Sequence, residues 1–126
     1  MRRPDETVDT YFARLVQDQA KRLSAGLKGI PGNYVMIDHG NGEYSMSAHL
    51  KPGSVRVHVG DQVAQGQVIG QLGSSGNSTE PHLHCQLCDN ADPVMCAGIP
   101  MQFANIEIPW ADGSRPLQSG DVIVTK

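Results

Sequence analysis

Five histidines, His39, His49, His58, His82 and His84, are the residues of this 126-residue chain best suited to chemistry near neutral pH. The most informative group is His82-Leu83-His84. In a strand, residues i and i+2 point the same way, with Cβ atoms roughly 7 Å apart. Two imidazoles on one face can share a metal ion, or one can bind metal while the other handles protons. The pair follows Gly73-Ser74-Ser75-Gly76-Asn77-Ser78-Thr79-Glu80-Pro81, a polar loop able to admit an extended substrate beside the strand. His49 lies in Tyr44-Ser45-Met46-Ser47-Ala48-His49-Leu50, whose alternation places Met46, Ala48 and Leu50 on one face and Ser45, Ser47 and His49 on the other. On the polar face at a strand end, His49 can reach a neighbouring strand; the plainer alternative is an exposed edge histidine. His39 precedes a turn and suits hydrogen bonding there. His58 alternates with Val57 and Val59 and reads as solvated.

Those side chains need short, sharply turned elements to bring them together. The chain has 14 glycines and 8 prolines, which break element interiors and favour short strands joined by tight turns over a helical bundle. Strand candidates are Tyr34–His39, Tyr44–Leu50, Ser54–Val59, Val68–Leu72 and Leu83–Leu87, each rich in β-branched or aromatic residues. Gly40-Asn41-Gly42 predicts a hairpin, because Asn and Gly tolerate positive φ. Residues 89–116 are loop-like with a strand candidate at Phe103–Ile108, and Val122–Thr125 reads as a closing strand. Gly120-Asp121-Val122 echoes Gly60-Asp61-Gln62-Val63, without establishing a repeat. Ahead of these strands, Val8, Tyr11, Phe12, Leu15, Val16, Leu23 and Leu27 recur at helical spacing and predict an amphipathic helix over residues 5–27. Its apolar stripe is expected to pack on the body of the domain. The expected organisation is a helix and linker over 1–30 and a β domain over 31–126, mainly antiparallel, in a β-sandwich or barrel-like groove fold.

Composition removes several function classes. The formal charge is −3 with no Lys/Arg cluster, which argues against nucleic acid or an anionic membrane as the main partner. No apolar run approaches the ~20 residues of a membrane span. Arg2 and Arg3 have no apolar stretch behind them, so the start does not read as a secretory signal. Three cysteines exclude a complete disulfide framework. Cys85 and Cys88 form a Cys-x-x-Cys, yet pleating turns Cys85 away from His82 and His84 toward the core. Cys88 shares the histidine face about 13 Å along the strand from His84. Cys88 and Cys96 either form a loop disulfide or remain free thiols. Asp5, Glu6, Asp9 and Asp18 are available carboxylates on the helix.

The order of motifs resembles a known family. Gly32-Asn33-Tyr34-Val35-Met36-Ile37-Asp38-His39-Gly40-Asn41-Gly42 is followed by Ala48-His49-Leu50, Val59-Gly60-Asp61-Gln62-Val63 and Gly66-Gln67-Val68-Ile69-Gly70. Gly73-Ser74-Ser75-Gly76-Asn77-Ser78 and Pro81-His82-Leu83-His84 complete the series. The succession, over residues 31–89, is similar to the M23 zinc metallopeptidases of the lysostaphin/LytM type. The resemblance implies a β-rich groove enzyme that cuts peptide bonds of peptidoglycan outside the cytoplasm with one zinc ion. It implies that His84 is a zinc ligand, that His82 activates the zinc-bound water, and that His49 assists catalysis and stabilises the oxyanion.

The family's other two ligands come from an upstream His-x-x-x-Asp. No histidine precedes His39, Glu43 stands four residues after His39, and Gly53 four after His49. Zinc binding and hydrolysis are therefore expected to be incomplete or impaired, since three protein ligands and an open position are usual for a hydrolytic zinc. Three readings follow: an endopeptidase domain whose upstream part lies outside this sequence, a degenerate domain that binds peptidoglycan or regulates a hydrolase, and a lipoyl/biotinyl-like carrier. The last is weakened because no lysine occurs between Lys51 and Lys126 to carry a cofactor.

Overall fold

The structure, a computed structural model, describes residues 3–24, 26–111 and 122–125. The sequence dictates the first hairpin. β1 (Asn33–Asp38) and β2 (Tyr44–Leu50) pair antiparallel, with Met36 opposite Met46 and Asp38 opposite Tyr44. Gly40 and Gly42 take φ of 78° and 84° in the connection. The turn is closed by Asp38 Oδ1 accepting the Gly40 N–H, Asn41 Oδ1 accepting the Glu43 N–H, and the His39 N–H donating to Glu43 C=O.

β3 (His84–Cys88) adds to the free edge of β2 with Ala48 opposite His84 and Met46 opposite Gln86. β4 (Gly98–Ile99) follows on β3 through Leu87 and Cys88, giving an open four-stranded antiparallel sheet in the order β1-β2-β3-β4. Met46, Ala48 and Cys88 are buried together, with Met36, Tyr44 and Cys96 packed against them. A Cys88–Cys96 disulfide ties the end of β3 to the following loop. β5 (Ile106–Glu107) and β6 (Val124–Thr125) form a separate two-stranded pair, far shorter than the stretch expected at 103–108. The mainly antiparallel character stands as expected. The Gly120-Asp121 echo lies outside the described residues.

Two expected strands do not form. Ser54–Val59 and Val68–Leu72 run beside one another through isolated bonds, Arg56 N–H to Ile69 C=O at 3.0 Å and Gln71 N–H to Ser54 Oγ at 3.0 Å. Val59, Val68 and Leu72 are exposed, so their alternation has no buried face to fix a continuous ladder.

The helix is also corrected. α1 spans Val8–Ser24, with Thr7 Oγ1 accepting the Thr10 N–H as a cap, and Gly26 at φ 99° turns the chain away before a 3-10 turn at Leu27–Gly29. The expected packing of its stripe on the strands is not found among the described residues. Val8, Phe12 and Val16 are 54%, 58% and 64% exposed, and among the described residues α1 touches the 3-10 turn but none of the strands. What holds its start is electrostatic: Arg14 pairs with Glu6 at 2.6 Å, and Glu6 also accepts the Arg3 N–H.

The Arg14 hydrogen bond, helped by the Arg3 backbone N–H, lowers the Glu6 pKa from 4.5 to about 2. A lowered carboxylate pKa stabilises the fold above the ordinary value, and that contribution is lost as pH falls through the folded one. Helical ellipticity is expected to hold down to about pH 4.5 and decline toward pH 2. Glu6→Gln is expected to flatten that decline in circular dichroism; an unchanged acid limb would contradict the assignment.

Candidate functional site

β2 carries an irregularity that alternation does not reveal. Val35 pairs with Ser47 but Asn33 pairs with Leu50, so Ala48 and His49 oppose the single residue Tyr34. His49 is the extra residue of this bulge, at φ 60°, a conformation uncommon for any side chain other than glycine. The extra residue shifts the phase of the strand. His49 thus leaves the Ser45/Ser47 face expected for it and turns its ring, 6% exposed, toward the neighbour across from Ala48. Its ring centroid stands 4.7 Å from that of His82 and 5.7 Å from that of His84.

The loop between residues 73 and 82 locks this arrangement. His49 Nδ1 donates to Ser75 C=O at 2.8 Å, and the His49 N–H donates to Pro31 C=O at 2.9 Å. Ser75 Oγ donates to Leu50 C=O at 2.7 Å and accepts the Asn33 N–H at 3.0 Å. The Asn77 N–H reaches Ile30 C=O at 2.9 Å. Gly32 and Gly76 permit this approach: a Cβ on Gly76 would collide with Gly32 N and Ile30 O, and one on Gly32 with the Ser75–Gly76 peptide.

His82 precedes β3 and is joined to the loop by an isolated bridge, its N–H donating to Gly73 C=O at 3.1 Å. Its Nδ1 donates to Glu80 C=O at 2.8 Å. The buried Ser78 also donates to that carbonyl, and its Oγ lies 3.3 Å from His82 Nδ1. His84 Nε2 lies 3.0 Å from Gln86 Oε1. The orientation of that amide is fixed at its other end, where Gln86 Nε2 donates to Cys96 Sγ of the disulfide at 2.9 Å.

One ring nitrogen from each of His49, His82 and His84 lies within 4.8 Å of the others. Carbonyl and amide oxygens only accept, so each bond assigns a tautomer: His49 and His82 carry hydrogen on Nδ1, and His84 on Nε2. In the neutral rings the lone pairs then reside on Nε2, Nε2 and Nδ1. Beside them is a cavity of about 220 Å³ whose lining includes Ile30, Pro31, Met46, Ala48, Pro93 and Val94, with His49, His84 and Gln86.

The structure thus brings together all three histidines singled out from sequence. His39 instead bonds Ser45 Oγ at 2.9 Å beside the hairpin, and His58 is exposed next to Asp61. Glu6 and Asp18 are engaged by Arg14, and none of Asp5, Glu6, Asp9 or Asp18 joins the cluster. Cys85 is not a core residue: it faces away from the histidines on a side of the sheet that the described residues leave open, and is exposed. Desolvation at the sheet surface pushes its thiol pKa up, against a hydrogen bond with Ser47, so it is no activated thiolate. Sequence reasoning missed Ser75, Ser78 and Gln86. The polar loop and the residue two positions after His84 were the available signals.

The fold and this histidine cluster define a class. Residues 16–96 match peptidase family M23, and the chain belongs to that family. It is 44% identical over 72 residues to the peptidoglycan DD-endopeptidase ShyA of Vibrio cholerae serotype O1, covering 56% of this chain and 16% of that protein. It is 46% identical over 69 residues to the DD-carboxypeptidase/endopeptidase Mpg of Neisseria gonorrhoeae, covering 55% of this chain and 15% of the relative. With lysostaphin of Staphylococcus staphylolyticus it shares 51% identity over 47 residues, 37% of this chain and 10% of that one. The chain therefore spans about one-sixth or less of the length of these relatives.

Gly76→Ala tests the loop clamp. The collision of its Cβ with Gly32 and Ile30, added to φ 69°, is expected to lower stability by about 1–3 kcal/mol or more. Gly53→Ala, at φ 73° but in open space, is expected to cost less. Equal melting-temperature shifts for the two would contradict the clamp.

Proposed function

We propose that this chain is a metal-dependent endopeptidase domain acting on peptide bonds of peptidoglycan. The observation that carries the reading is the convergence of His49, His82 and His84 beside a small apolar cavity in an M23 chain. Zinc is the ion this reading implies; when bound, it polarises the scissile carbonyl and makes water a better nucleophile. On the roles that the resemblance implies, His84 is a ligand, presenting the Nδ1 lone pair that its bond to Gln86 leaves. His82 accepts the proton of the attacking water at Nε2, while its Nδ1–H stays on Glu80 C=O and steadies the imidazolium that results. His49 opposes charge developing on the carbonyl oxygen. Its Nδ1–H is already committed to Ser75 C=O, so a donor at Nε2 requires the imidazolium form.

The cavity suits a small apolar side chain beside the scissile bond. That favours an alanine-bearing stem peptide over a glycyl-glycine bridge, consistent with the DD-endopeptidase named among the relatives. A peptidoglycan substrate places the domain outside the cytoplasm, and the Cys88–Cys96 disulfide agrees with an oxidising compartment. None of the described helices is long and apolar enough to cross a membrane.

Purified cross-linked peptidoglycan, incubated with the chain and zinc, is expected to release new peptide ends. His82→Ala is expected to lower that release about 10²–10⁴-fold. Wild-type release no greater than that of His82→Ala would contradict hydrolysis. If the chain still sediments with the polymer, a second reading takes over, a domain that binds peptidoglycan without cutting it.

A further inference from the structure

The family-type zinc site fits these residues only in part. One of its three protein bonds falls to His84, and no His-x-x-x-Asp exists in this sequence to supply the others. We infer that His49, His82 and His84 themselves form a complete three-imidazole site for one divalent ion such as zinc. The inference rests on the same site as the proposed function but assigns His49 and His82 a different role in the substrate-free chain.

Three features carry it. One ring nitrogen of each histidine already lies within 4.8 Å of the other two. Nitrogens around a tetrahedral zinc with bonds of about 2.05 Å stand roughly 3.4 Å apart, so each pair has to close by about 1.4 Å at most. His82 and His84 are open enough to solvent for small χ rotations to supply that closure, whereas His49 is buried and fixed from both backbone and ring. The second feature is the arrangement of acceptors behind the rings. Each imidazole gives one N–H to an oxygen, Ser75 C=O, Glu80 C=O or Gln86 Oε1, as metal-bound histidines commonly do. The third is the donor chemistry: three neutral imidazoles with one position left open match a known zinc ligand set.

The two roles of His82 exclude each other. A lone pair that held a metal ion could not at the same time accept a proton, so His82 would serve either as a ligand or as the proton acceptor, not as both at once. The geometry also reaches the disulfide, because Cys96 Sγ orients the Gln86 amide that sets the His84 tautomer.

The test is metal binding by the intact chain, read by calorimetry with Zn²⁺ and by the visible spectrum with Co²⁺. The expected result is one ion per chain with a tetrahedral Co²⁺ spectrum. His82→Ala and His84→Ala are each expected to weaken binding at least tenfold, and Gln86→Leu about 10–100-fold. His49→Ala should do the same. Because that residue is buried, its melting curve is taken alongside, and the accessible His82 carries the decision. Loss of metal in His84→Ala with unchanged affinity in His82→Ala would overturn the inference, as would no binding by the wild-type chain. Peptidoglycan release, measured separately, distinguishes the two proposals. A chain that digests the polymer while His82→Ala still holds metal defeats this inference and keeps the proposed function. Tight binding that needs His82, without digestion, does the reverse.

Discussion

The left-handed backbone of His49 is the constraint on which the histidine cluster depends. Holding a non-glycine residue there costs on the order of 1–3 kcal/mol, and it persists only where surrounding contacts over-determine it. The contacts around His49 do so. Its N–H is bound to Pro31, its ring to Ser75, and Ser75 in turn joins Leu50 to Asn33. At about 0.5–1.5 kcal/mol net apiece, four such bonds offset the backbone cost. Were the strand regular, His49 would stand on the opposite face from Ala48 and His84, and the cluster would not exist.

The rest of the structure supports this point in layers. The β1–β2 hairpin sets the register that places Ala48 beside His84. The glycines at 32 and 76 let the loop lie against the start of β1, so that its carbonyls reach the rings of His49 and His82. On the far side, the disulfide reaches the cluster through Gln86. Backbone carbonyls thus decide two of the three tautomers, and a side-chain amide the third. An imidazole's chemistry depends on which nitrogen carries hydrogen, so these acceptors matter as much as the rings.

Much of this was legible in the residues. The hairpin at Gly40-Asn41-Gly42, the His82/His84 pair and the importance of His49 followed from turn chemistry and strand period. The face of His49 did not, because a bulge is fixed by long-range bonds to Pro31 and Ser75 that no local pattern encodes. Cys85 was misplaced for a related reason: pleating correctly turned it from the histidines, but the side it faces is open rather than covered. The helix stripe is a third instance. Helical spacing identifies an apolar face, not what lies on it, and Val8, Phe12 and Val16 meet no strand among the described residues. The departure from the expected ligand pattern, in turn, was visible from sequence, whereas the clustering of three imidazoles required the bulge.

The central claim is that fixed acceptors hold three clustered imidazoles, each in a single tautomer. Long-range ¹H–¹⁵N correlation spectra of the histidine rings, recorded without metal at a pH where they are neutral, test it most directly. The account predicts hydrogen on Nδ1 of His49 and His82 and on Nε2 of His84, each as a single tautomer. Rapidly averaged tautomers, or His49 carrying hydrogen on Nε2, would contradict it.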